Sequence, residues 1–232
     1  MKACTLYSCQ VVGERLTRAA VAERALRLAD AEGLEAVTIR RLAQELGVTP
    51  MALYWHFKNK DELLLGITDH ALSGVKATRD PRDPWQRQLR AMVDSLVAIM
   101  RQHPCLAALL QHVDKQDAQS FTRATNDALA LLGQAGFGIR ESFWVAGFLM
   151  QGAIGLVAGQ PGCPPSVSGQ EAVEWRRQKR LAMEKLPPDE FPKVVEFART
   201  LEEEPNLERY YEQGIDLLLA GVETVAARQA PA

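Results

Sequence analysis

Apolar residues recur at helical spacing through most of this chain. Val21, Ala25, Leu28 and Ala29 predict an amphipathic helix over 16–32, with Thr17 placed to cap it and Gly33 to end it. Thr38 suits the N-cap of a short helix over 39–46 that stops at Gly47. Thr49 followed by Pro50, a cap with a first-turn proline, opens another short helix to about residue 57. Asn59 with Glu62 forms a capping-box pattern for a fourth helix, reaching about Lys76. Very short turns join the four, so they read as one compact module.

A hinge rich in proline and charge, TRDPRDP, follows. Asp83 and Pro84 then start a long helix whose inner face carries Leu89, Met92, Val93, Leu96, Ile99 and Met100. Pro104 starts a shorter helix to about Val113, and another runs over 116–134 before the AGFG turn at 135–138. Residues 142–170 carry no charge, and 143–159 are nearly apolar throughout, close to the length of a membrane span. Gln151 in the middle, and the lack of a flanking Lys/Arg cluster, point instead to a helix buried on all sides of a folded protein. After a loop with Pro161, Pro164 and Pro165, Ser168 and Glu171 form a second capping-box pattern for a helix to about Lys185. Pro187-Pro188 interrupts it, a helix with an acidic end at 202–204 follows, and the last helix covers 206–227.

Composition agrees with an all-α fold. Apolar residues make up 47% of the 232 and charged residues 24%, as in globular proteins, while aromatics are only 6% and alanine and leucine dominate. A chain of this length buries enough surface to need no staples. Cys4, Cys9, Cys105 and Cys163 show no regular spacing, which suits a reduced, cytoplasmic protein. The start, MKACTLYSCQVV, is too polar for a signal-peptide core and reads as a flexible tail. Net charge is −2, but it is unevenly spread: residues 1–60 hold nine Lys/Arg against six acids, or +3, leaving 18 against 23, or −5. A basic head on an acidic body is the asymmetry expected when one end faces phosphates.

The stretch TIRRLAQELGVTPMALYWHF has helix-turn-helix spacing. Ala43 is small where two helices would cross, Gly47 supplies the tight turn, and Leu53 packs the second helix back on the first, with Leu42, Leu46 and Val48 filling the space between. That spacing serves an ordinary helical hairpin as well as a reader of the DNA major groove. The neighbouring residues favour DNA. Tyr54, Trp55 and His56 stand in a row, and a core helix would leave their polar tips unsatisfied. On a phosphate backbone, Tyr54, His56, Lys60 and the Thr38 hydroxyl can each make a bond. No G-x-S-x-G, phosphate-binding loop, H-E-x-x-H or dinucleotide fingerprint occurs, so no enzymatic activity is expected.

The segment LTRAAVAERALRLADAEGLEAVTIRRLAQELGVTPMALYWHFKNKDELL resembles the DNA-binding domain of the TetR family of bacterial transcription regulators, most closely at GV-x-x-x-x-LYWH-x-KNK. The resemblance implies a tail over 1–15, a three-helix DNA-binding domain over 16–62, a connecting helix over 63–78, and a helical ligand-binding and dimerising body over 79–230. It implies a homodimer that binds a pseudo-palindromic operator on double-stranded DNA and is released by a small-molecule effector. An activator, or a regulator without a ligand, has the same fold. Carried over by position, Thr38, Tyr54, His56 and Lys60 are phosphate contacts, and Arg40 is a base-reading arginine whose fork suits guanine. Thr49, Pro50, Met51 and Ala52 occupy the variable base-facing positions, so the operator sequence does not carry over. Trp55 sits among these residues with an implied role mainly in packing.

In the body, Trp85-Gln86 and Gln134-x-Gly136-Phe137 match tetracycline repressors at consistent spacing, which puts His112 on their metal-ligand histidine. Lys76, Met92, Leu96 and Gly159 depart from the rest of that site, so a magnesium–tetracycline ligand is not expected, nor any metal or cofactor. An apolar or aromatic molecule suits the pocket better. Its candidate lining is Trp85, Leu89, Met92, Leu96, Met100, Leu109, His112, Phe121, Phe143, Met150 and Gln151, the last a lone amide that needs a partner. Gly152, Gly155 and Gly159 share one side of the apolar helix with Trp144 and Phe148. With Tyr211, Gly214, Leu218 and Gly221 of the last helix, they suit a four-helix dimer interface.

Overall fold

Thr17 opens α1 (Arg18–Glu32), its hydroxyl oxygen accepting the Ala20 N–H at 3.1 Å. The same device repeats twice. Thr38 accepts the Arg41 N–H at the start of α2 (Ile39–Leu46), and Thr49 the Ala52 N–H at the start of α3 (Pro50–Tyr54). Each cap satisfies a helix N–H that would otherwise lack a partner. Between α2 and α3, Gly47 takes the left-handed conformation at φ 66°, and its N–H and that of Val48 return to the Ala43 carbonyl. A side chain there would be strained, so glycine sets the turn. Ala43, Leu42 and Leu53 are buried as the helix-turn-helix spacing predicts, while Leu46 and Val48 are only half-buried. The computed structural model describes residues 16–163 and 167–229; the predicted tail over 1–15, together with Cys4, Cys9, Pro164 and Pro165, lies outside the described residues.

Three element ends differ from the sequence reading, each for a local reason. α3 stops at Tyr54 rather than near residue 57, because the N–H groups of His56 and Phe57 both return to the Leu53 carbonyl and turn Phe57 into the core. α4 (Lys60–Ala71) is capped by Asn59, which accepts the Glu62 N–H at 2.7 Å. The reciprocal arm of that capping box is redirected: Glu62 Oε2 accepts the Lys58 N–H at 2.8 Å instead of the Asn59 N–H. α4 ends at Ala71 rather than Lys76, because a 3-10 turn over Leu72–Gly74 tightens the chain.

The chain forms two units, and the division does not follow the sequence. One unit joins the residues up to Thr78 with Ala98–Asp127; the other joins Arg79–Val97 with the residues from Ala128 on. The boundary falls within α5 (Trp85–Gln102) and α7 (Gln119–Gln134), so the body predicted as one stretch over 79–230 yields residues 98–127 to the head's unit. In that unit α4 packs on α1 and on α6 (Cys105–His112). Asp30 near the end of α1 accepts the Cys105 N–H at 3.3 Å and lies 2.6 Å from His103 Nδ1. Asp69 of α4 accepts the Ser120 N–H at 2.7 Å, and Asp127 accepts the Ala77 N–H at 3.2 Å. α7 begins at Gln119 instead of Gln116, because residues 115–117 form a 3-10 turn.

The second unit contains α8 (Ile139–Ala158), α9 (Gly169–Glu184), α10 (Pro192–Arg199) and α11 (Leu207–Gln229). α8 and α11 interlock: a Cβ on Gly152 would sit 2.5 Å from a Leu218 methyl, and one on Gly214 would sit 2.2 Å from a Leu156 methyl. Tyr210 then closes the end of α8, its hydroxyl donating to the Leu156 or Gly159 carbonyl at 3.1 and 3.2 Å. α9 packs against α10, and Arg180 pairs with Glu202 beyond it. The Ser168 side chain makes no capping bond, contrary to the second predicted box; Glu141 instead accepts the Gly138 N–H at the start of α8. α8 is also not buried all round. By length and composition it could cross a membrane, yet Ile139, Phe143, Trp144 and Phe148 stand exposed beside a side packed on α11.

Gly66 on α4 is the closest approach in the head, since a Cβ there would lie 2.3 Å from Cε1 of the fully buried Phe57. Gly66→Ala should therefore cost about 1–3 kcal/mol through overpacking. Urea unfolding would read this as a lower midpoint with an unchanged slope, and an unchanged midpoint would mean that Phe57 repacks freely.

Candidate nucleic-acid interface

The exposed side of α3 and the turn after it collect most of the residues assigned to DNA. Met51 is 67% exposed, Tyr54 47% and Trp55 86%, and Pro50 and Thr49 are exposed beside them. Ala52 and His56 are half-buried. Trp55 packs on nothing large, which corrects the packing role the sequence resemblance implied for it: the chain turns at Trp55 to bury Phe57, and the indole is left outward. Thr38 is exposed at the start of α2, and although its oxygen caps Arg41, its hydroxyl hydrogen is still available to a phosphate.

Charge pairing separates the head's arginines. Arg18 pairs with Glu62, Arg24 with Glu45, Arg27 with Glu23, and Arg41 with both Glu32 and Glu45. Glu32 chiefly, by hydrogen bond and charge, raises the Arg41 pKa further. Among the described residues of the head, Arg40 is the one arginine with no carboxylate partner, and it is exposed on α2. A guanidinium left unpaired in a field of paired ones keeps its full fork for an outside acceptor. Lys60, the predicted phosphate contact, is held at 3.3 Å by Glu35.

Sequence reasoning missed the residues that fix this surface. Arg18, the first residue of α1, donates to the His56 carbonyl at 2.5 Å and to Glu62 at 3.1 Å, and its guanidinium lies 4.3 Å from the centre of the Phe57 ring. Arg18 thus ties α1 to the exit of α3 and the start of α4. An interior helix glycine at 66 was the available signal for close packing there; nothing local marks Arg18. The Lys58 N–H, and next Arg18, hold the Glu62 carboxyl below the usual range for glutamate.

The residues assigned to a ligand divide between the two units. Trp85, Leu89, Met92, Leu96, Phe143, Met150 and Gln151 lie in one, and Met100, Leu109, His112 and Phe121 in the other. Leu89, Met92, Met100 and Leu109 are buried, and Trp85, Leu96, Phe121 and Met150 half-buried. Phe143, His112 and Gln151 are exposed, so the argument that Gln151 is a buried amide in want of a partner does not hold. His112 donates from Nδ1 to the Ala108 carbonyl of its own helix, and no group of His, Cys, Asp and Glu among the described residues could hold a metal ion. Of the residues assigned to a dimer face, Trp144, Phe148, Gly155, Gly159 and Gly221 are exposed. Tyr211 is buried with its hydroxyl on Gln160, and Gly152, Gly214 and Leu218 serve the α8–α11 contact within one chain. Leu217, from the apolar run 217–219 that also suits a dimer interface, is exposed on α11, as is Val225, which was not assigned from the sequence.

A helix-turn-helix followed by an all-helical body defines a one-component regulator, and the comparisons agree. Residues 21–67 match the family of bacterial regulatory proteins called tetR, and residues 77–226 match the tetracyclin repressor-like C-terminal domain. The chain belongs to the TetR family of DNA-binding transcription regulators. It is 28% identical to the class C tetracycline repressor protein of Escherichia coli over 218 residues, covering 90% of this chain and 91% of the repressor. Among solved structures it is similar to ActR from Streptomyces coelicolor. Apo ActR gives a TM-score of 0.76 at 26% identity, covering 94% of this chain and all of that one. ActR in complex with actinorhodin gives 0.77 at 27%, covering 93% and 99%.

The Glu62 contacts carry a pH prediction. A carboxyl held below its ordinary 4.5 contributes stability that is fully present above that value and is lost as pH falls through the lowered one. Melting temperature should therefore fall more steeply below pH 4.5 in the wild type than in Glu62→Gln. Parallel acid-side profiles would remove Glu62 from the account. Arg18→Ala should speed amide exchange at His56 and Phe57, whose turn it braces.

Proposed function

We propose that this protein is a repressor that binds a pseudo-palindromic operator as a homodimer and leaves it when a small, apolar or aromatic effector binds the body. One observation carries the reading: α3 buries Leu53 and leaves Met51, Tyr54 and Trp55 outward, beside an arginine that no carboxylate among the described residues neutralises. Such a surface has little reason to exist in water and suits a major groove, where Arg40 would grip guanine O6 and N7 and Met51 would meet a thymine methyl. Thr38, Tyr54, His56 and Lys60 would hold the flanking phosphates. ActR's complex with actinorhodin supports a small-molecule effector for this chain too, and a DNA target supports work in the cytoplasm.

The dimer reading rests on an apolar stripe. Trp144, Phe148, Gln151 and Gly155 are exposed at three- and four-residue spacing along α8, and Leu217, Gly221 and Val225 along α11. Leu217 at 76% exposure and Phe148 at 74% are large groups for a monomer to leave wet, and a second copy laying the same stripe against them would bury both. Gln151 then belongs with this stripe rather than with a ligand.

Selection of retained fragments from sheared genomic DNA by the purified protein should yield an inverted repeat with half-sites spaced by helical turns. Recovery of no common sequence at moderate salt would contradict the operator reading. Arg40→Ala should relax preference at a single base position of that repeat at a cost of about 1–3 kcal/mol. Phe148→Glu should sediment as a folded monomer, and a dimer surviving that change would move the interface elsewhere.

A further inference from the structure

Lys60 is the first residue of α4, where the aligned N–H groups of a helix already favour negative charge and oppose a lysine. Asn59 caps the helix beside it, and Asp61 and Glu62 follow in the first turn. Across from it stands Glu35, in the 3-10 turn Leu34–Ala36 between α1 and α2, with its carboxylate 3.3 Å from Lys60 Nζ. The Glu35 side chain is 99% exposed and, among the described residues, makes no other ion pair or hydrogen bond. It lies three residues before Thr38, at the rim that would meet the DNA backbone.

From this geometry we propose that Glu35 is an internal stand-in for a DNA phosphate: it occupies Lys60 in the free protein and must surrender it when DNA binds. The inference rests on the DNA-binding reading and adds an affinity-setting residue to it. Glu35 is a positioning residue, acting on DNA through Lys60. Because its carboxylate is fully hydrated, the pair is weak and breaks readily, so its effect is to lower affinity for every sequence by a modest factor without changing the preferred one. A head with one fewer free cation spends less time on random DNA and stays within reach of an effector that can supply only a limited coupling free energy.

The test uses the full-length protein and a random-sequence duplex of about 30 base pairs, long enough for two heads a helical turn apart. Binding is read by fluorescence anisotropy across a salt series. Glu35→Gln should bind several-fold tighter than wild type at low salt. That advantage should shrink as salt rises from about 50 to about 200 mM, since screening weakens the exposed Glu35–Lys60 pair that the wild type must break. Glu190→Gln, an equal charge change far along the chain in the other unit, should bind like wild type. In a Lys60→Ala background the Glu35→Gln gain should largely vanish. Equal affinity and salt slope for Glu35→Gln and wild type would overturn the proposal, as would a gain that persists undiminished without Lys60. Circular dichroism checks that each variant is folded. A wild type that fails to bind the duplex even at low salt would instead overturn the DNA-binding reading itself.

Discussion

The burial of one ring, Phe57, is what the reading surface depends on. Its backbone N–H and that of His56 converge on the Leu53 carbonyl, its ring lies under the Arg18 guanidinium, and Gly66 leaves it room against α4. Pulling that ring inward ends α3 after five residues and throws Tyr54 and Trp55 outward. Phe57 lies four residues after Leu53, so the two share the buried side while Tyr54 and Trp55 between them face outward. The tertiary burial of Leu53 and Phe57, rather than the propensities of a five-residue helix, holds that arrangement.

Around that anchor, most of the arginines described in the head are answered from within. Arg18, Arg24, Arg27 and Arg41 each meet a glutamate, and Arg41 meets two. Exposed pairs of this kind add little stability, so their value lies elsewhere. Among the described residues of the head they leave one guanidinium without a carboxylate, that of Arg40. Non-specific attraction to DNA grows with every unneutralised cation, whereas discrimination comes from the few groups that reach base edges. A head built this way gives up general affinity and keeps the guanidinium proposed above to read sequence.

The amount legible in the sequence followed from how local each cause was. Threonine caps, Gly47 and the Ala43–Leu53 crossing were readable because each is set by a few neighbouring residues, and the structure has all of them. Arg18 was not readable, because its partners His56, Phe57 and Glu62 are some forty residues away in the chain. The glycines of α8 and α11 were readable as small residues on a face but not as to which neighbour filled the space. Gly152 and Gly214 turn out to receive Leu218 and Leu156 of the same chain, while Gly155 and Gly221 face open space. Small side chains mark a close approach without naming the approaching helix. An all-apolar helix likewise signals burial without saying whether the cover is its own chain.

That last ambiguity bears on how the two halves of the function are held in one chain. Residues 98–127 belong with the head although they come from the middle of the predicted body, so the reading surface is braced by α6 and the start of α7 as well as by α1 and α4. The braces are single carboxylates: Asp30 takes the Cys105 N–H and meets His103, and Asp69 takes the Ser120 N–H at the head of α7. Burial first, and the neighbouring Asp30 carboxylate second, push the Cys105 thiol pKa up. These directional bonds add to the apolar packing of α6, whose Leu106, Leu109 and Leu110 are buried, and such bonds hold one geometry and lose most of their strength over a small displacement. Directional fastening of that kind favours discrete arrangements over proportional bending, which suits the release of DNA proposed above.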